Sequence, residues 1–242
     1  MKTNMKNIIV CFVTAFVLIT IISVPISANP FITVASDSEY DVLEKGEILL
    51  DDNKKIYISC NSRGEYEFLF ENKKLCKERI IDGSVEKEYL KTCEKAVVDS
   101  KDKAIDIVKQ VFADQCKEGK GWFLGSSLYM KIEAYYSTKS TSYGIGYKVN
   151  YVVARSTVSN GTVIDTKYLN TSAWSTSEYG TAFGQTRNIN ILSASNPYYD
   201  YGMSGYPYLI SGMDLAANLN INAHRPSGSS YNYIVEALIF RN

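Results

Sequence analysis

Histidine is almost missing from this 242-residue chain, with His224 the single example. Tryptophan occurs twice and proline five times. Neither sign of charge is in excess, since 26 basic residues face 26 acidic ones. A balanced chain has no electrostatic footprint for a polyanion, which argues against DNA or RNA as a partner. No glycine run completes a P-loop or a dinucleotide fingerprint, so no nucleotide cofactor is expected. No Asp-x-Asp-x-Asp-Gly loop marks a calcium site. The cysteines include no Cys-x-x-Cys pair, which argues against structural zinc. No cofactor and no metal are therefore expected.

Catalytic signatures are equally sparse. His224 is the first candidate base, just past a strand-like run. No serine lies in Gly-x-Ser-x-Gly, and Gly202-Met203-Ser204-Gly205 is short by one residue. Paired carboxylates for glycoside hydrolysis would have to come from Glu133, Asp165, Glu178, Asp200, Asp214 and Glu236, and no spacing pairs them. A secreted hydrolase ranks third among the functions considered.

Long hydrophobic runs are confined to the start. Lys2 and Lys6 precede an uncharged stretch from Ile8 to Val24, followed by Pro25-Ile26-Ser27-Ala28. That order is the pattern of a secretory signal with a small-residue cleavage site after Ala28. Residues 1–28 are thus expected to be a signal peptide. The mature chain is expected to be secreted, extracellular and without a stable transmembrane anchor. The Lys, Asn, Ile and Tyr bias suits an AT-rich bacterial genome.

Four cysteines remain after such a cut: Cys60, Cys76, Cys93 and Cys116. An even count in an exported chain suggests two disulfides. Short loops favour Cys60 with Cys76 and Cys93 with Cys116, although spacing alone leaves three pairings open.

The composition changes near Gly121. From Asp37 to Lys120 there are 36 charged residues, and from Gly121 onward 14, whereas tyrosine rises from four to 15. Residues 29–120 are expected to form a charged, cysteine-bearing α+β region. Its one amphipathic helix is capped by Asp99 or Ser100, with Ala104, Val108, Val111 and Phe112 on one stripe. Residues 121–242 are expected to form a Tyr-rich antiparallel β domain, sandwich or jelly-roll-like. Tyr143, Ile145, Tyr147, Val149, Tyr151 and Val153 alternate as one strand face, and Leu215 to Ala223 alternate with Asn218, Asn220 and Asn222.

The segment from Asn196 to Tyr208 has five tyrosines, two prolines and two glycines, and is expected to be a loop. Tyrosine offers a flat apolar face and a hydroxyl at low entropic cost, so Tyr198, Tyr199, Tyr201, Tyr206 and Tyr208, with Trp174, are the candidate binding residues. Together these features predict a non-catalytic module for a cell-wall or other glycan, or for a protein surface. The alternative is a membrane-acting β-pore toxin. For that role the hairpin of Ser127–Tyr136 and Tyr143–Arg155 is long enough, but Lys131 and Glu133 share a face with Tyr129 and Tyr135.

Overall fold

The structure is a computed structural model, and it describes residues 46–51, 54–81, 83–114 and 125–241, together with Leu43. Residues 1–28, expected to be a signal peptide, and Cys116 lie outside the described residues. Mostly antiparallel β structure results, as the alternating runs and turn residues require.

Strands β1 (Glu47–Asp51), β2 (Lys54–Cys60), β3 (Tyr66–Ile81) and β4 (Ser84–Val98) precede helix α1 (Lys101–Asp114). Then come β5 (Leu128–Thr141), β6 (Gly144–Val158), β7 (Val163–Ser177), β8 (Ala182–Asn190), β9 (Tyr198–Asp200), β10 (Leu209–His224) and β11 (Tyr231–Arg241). β1 to β6 form a meander in sequence order. β10 joins β6 only through Leu209 and Ile210, then continues between β7 and β11. β8 pairs with β7, and β9 with β6. β11 lies against β4 and β5 as well as β10. The core sits between these runs, with Met130, Ile132, Ala134, Val152 and Ala154 from the meander meeting Leu169, Leu219, Ile221 and Val235.

The sheet crosses the composition break without interruption, because β4 and β5 pair from Glu86↔Lys139 to Val97↔Leu128. α1 starts at the expected cap. Ser100 Oγ accepts from the Lys103 backbone N–H at 3.3 Å, and Asp102 sits in the first turn. Ala104, Ile105, Ile107, Val108 and Val111 are buried on one stripe.

β3 runs unbroken from Tyr66 to Ile81, with a bulge between Leu75 and Lys77. Two expectations are corrected. The single-face alternation from Tyr143 to Val153 fails at a second bulge, where Tyr135 faces Tyr151 and Tyr136 faces Val149. The extra residue, Asn150, reverses the pleat, so Val149 and Val152 both enter the core while Tyr151 turns out. Finally, Cys60 and Cys76 do not pair. Cys60 lies opposite Tyr66, and Cys76 is ten residues farther along β3, roughly 33 Å at strand rise. A disulfide needs Cα atoms within about 7 Å. Cys60 and Cys76 are exposed thiols, and Cys93 is a buried one.

Burial pushes the Cys93 thiol up to about 12. The thiolate is the reactive form, so Cys93 is expected to resist iodoacetamide at about pH 8 until the protein is unfolded. Mass spectrometry of native and urea-treated samples checks this, and rapid native labelling of Cys93 would contradict its burial.

Candidate functional site

The tyrosine segment is folded down more than its composition suggests. Tyr198–Asp200 forms β9 against β6, and Met203 is buried. Asp200 is buried and accepts two bonds from the Arg187 guanidinium, at 2.8 and 3.1 Å. Arg187 fills the space above Gly202, where a Cβ would stand 1.8 Å from Nη1. Tyr198 packs against the core. Tyr206 packs on Phe183 at 5.0 Å, and its buried hydroxyl has no hydrogen-bond partner among the described residues. Tyr208 lies beneath the Lys139 ammonium at 4.2 Å. Burial and the neighbouring Glu86 carboxylate push its phenol up to about 12. Only Tyr199 and Tyr201 of this group are exposed. Tyr201 leans on Tyr151 at 5.4 Å, and Tyr151 stacks on Tyr135 at 4.2 Å. The rings of that pair are nearly parallel and cover each other's faces.

Trp174 stands elsewhere, on the solvent side of β7. From Lys167 to Ser177 the odd-numbered residues of this strand, such as Leu169 and Ala173, are buried. The even-numbered ones therefore form the outer face: Tyr168, Asn170, Ser172 and Trp174. Strand register then sets neighbours beside them. Asn170 lies opposite Asn188 of β8 and Asn218 of β10, and Asn218 lies opposite Glu236 of β11. In the next row Tyr168 lies between Asn190 and Asn220. Beyond it, Thr166 faces Asn222, which faces Asn232. The result is a face four strands wide, about 14 Å at normal strand spacing.

Trp174 lies flat on this face. Its cross-strand partner is Gly184, where a Cβ would be 2.3 Å from Trp174 Cε3 and 2.4 Å from Cζ3. Only glycine lets the indole settle so close to the β8 backbone. The indole Nε1–H donates to Thr186 Oγ1 at 3.0 Å. Pinned at both points, the side chain is still 45 % exposed.

Hydrogen bonding orders the rest. Asn170 Nδ2 donates to Asn218 Oδ1 at 3.0 Å. Ser172 donates to Asp214 Oδ2. Arg241 binds Asp214 at 2.9 Å and Glu236 at 2.9 Å, so one guanidinium serves both carboxylates. The surface thus offers amide donors and acceptors with little unpaired charge. Asn218, Asn220 and Asn222 were legible as an outer strand face. Asn170, Asn188, Tyr168 and Gly184 were missed, although the alternation from Tyr168 to Trp174 was the available signal.

His224 does find a carboxylate. Its Nδ1 is 2.8 Å from Asp165 Oδ1, and Ser230 donates to the other oxygen of Asp165. These bonds hold the Asp165 carboxyl below its usual range. A Ser-His-Asp triad requires the serine on the imidazole; here serine and histidine meet the carboxylate instead. Among the described residues no cluster of three or more His, Cys, Asp or Glu is placed to hold a metal ion. No helix among them is long and apolar enough to cross a membrane.

The chain matches no family model, and neither curated proteins nor solved structures yield a similar protein.

Proposed function

We propose that this is an exported, non-catalytic glycan-binding protein whose ligand lies across the Trp174 face. The observation that carries the proposal is the flat indole over Gly184 beside a row of asparagines. A sugar ring presents an apolar C–H face and a rim of hydroxyls. The indole matches the first and the amides match the second. Few unpaired charges on this face favour a neutral polysaccharide. On this reading β11-β10-β7-β8 and the meander are the two layers of a β-sandwich, with the outer layer carrying the site. The charged start and apolar run of residues 1–28 support export to a place where such glycans occur.

Sedimentation with insoluble cell wall and other polysaccharides tests the proposal. The purified protein is expected to pellet with at least one of them. Trp174→Ala is expected to weaken binding about thirtyfold, the scale of losing a tryptophan hot spot worth about 2 kcal/mol. Wild-type protein that stays in the supernatant with every polysaccharide would sink the glycan assignment.

A further inference from the structure

Six of the large apolar side chains that face solvent, among them the two most exposed, gather at one end of the sheet. Ile80 is 76 % exposed beside Ile81 and Val85 at the β3–β4 turn. Tyr143 and Ile145, each 57 % exposed, stand at the β5–β6 turn. Tyr179, 73 % exposed, tops the β7–β8 turn. Register places these three turns together. Glu86, just after the first turn, pairs with Lys139, just before the second. Leu209 links Tyr147, four residues past the second turn, to Ser177 at the start of the third. Side chains tie them as well. Lys139 Nζ is 2.6 Å from Glu178 Oε2, and the Tyr143 hydroxyl sits where a Cβ on Gly180 would be 2.8 Å away.

We propose that these three turns dock together in the interfacial layer of a lipid bilayer. Aliphatic residues at the tips bury into the acyl boundary, and tyrosines place a ring in it and a hydroxyl among headgroups. Three separate protrusions suit a fluid surface that closes around each. The charges behind the tips select the type of lipid. Arg79 pairs with Glu86 at 2.9 Å and Glu88 at 3.1 Å, and Lys87 with Glu78 at 3.4 Å. Lys139 is taken by Glu178. Among the described residues Lys77 and Lys148 alone stand beyond these pairs, and the sequence adds Asp82 between Ile81 and Gly83, so the collar is close to neutral and attachment is apolar and does not need anionic lipid.

The turns act without the strands. β5 and β6 each commit one face to the protein core, through Met130, Ile132, Ala134, Val152 and Ala154. The bilayer is therefore touched and not crossed, and dye-loaded vesicles are expected to stay sealed.

Flotation of the purified protein with phosphatidylcholine vesicles tests this. The protein is expected to float with them, to about the same extent when a fifth of the lipid is phosphatidylserine, and to remain bound in about 0.5 M NaCl, where charge attraction is screened within a few ångströms. The triple variant Ile80→Ser/Tyr143→Ser/Tyr179→Ser is expected to lose about tenfold or more in partitioning, since binding scales with buried apolar area. Near-ultraviolet circular dichroism checks that it is folded; if it is not, Tyr179→Ser alone serves, with a smaller loss. Failure to float, flotation only on anionic lipid at low salt, or equal flotation of the variant each overturns the proposal. So does a wild-type dimer that dissociates in the variant and ignores vesicles, because the tips would then bind a second copy. Trp174→Ala is expected to float normally, which separates this surface from the glycan face.

Discussion

Gly184→Ala is expected to lower glycan affinity about tenfold, or about 1.4 kcal/mol, while leaving the fold intact. The added methyl would lie 2.3 Å from the indole, well inside contact distance. The β8 backbone is held by its pairing with β7, so the indole yields and lifts off the sheet. Lifting breaks the Nε1 bond to Thr186 and tilts the ring away from the plane of the asparagine rows. Stability should move the other way, because alanine loses less backbone entropy than glycine in a strand, about 0.5–1 kcal/mol. Sedimentation isotherms and urea melts on the same samples give both numbers. Wild-type affinity in Gly184→Ala would mean that the orientation of the indole does not matter to the ligand.

Arg225→Ala is expected to cost about 3 kcal/mol of stability, the lower end for stripping one partner from a buried ion pair. Glu65 is buried, and Arg225 reaches it at 2.8 Å and Asp99 at 3.2 Å. The same guanidinium donates to Ser127 at 3.1 Å. Tyr233 donates to Glu65 at 2.8 Å, and Asn61 at 2.9 Å. One side chain from the β10–β11 connection thus joins the β2–β3 turn, the approach to α1 and the start of β5. Removing it leaves a buried carboxylate without its cation. A domain of this size should melt roughly 6–12 °C lower. Pairing the change with Glu65→Gln in a double-mutant cycle isolates the interaction. A loss below about 1 kcal/mol would place this cluster with ordinary surface pairs.

Local pattern explains what was legible. The cap at Ser100 and the stripe on α1 depend on residues within a few positions of one another. So does the alternation from Leu215 to Ala223. The binding residues were legible only in part. Trp174 was singled out, but it was grouped with tyrosines of the 196–208 segment that lie elsewhere. Aromatic density marks capacity to bind, and it cannot distinguish Tyr201 in solvent from Tyr206 packed on Phe183.

The amino-acid order alone determined that the chain is built from antiparallel strands, where most of them run, and that one amphipathic helix interrupts them. These follow from side-chain period and turn chemistry, which act over a few residues. Tertiary structure decided which strands became neighbours. That choice inserted β10 between β7 and β11, put Gly184 under Trp174, aligned asparagines from separate strands, and kept Cys60 far from Cys76. Each of these rests on register between segments distant in sequence, and register is set by how all the apolar faces share one core.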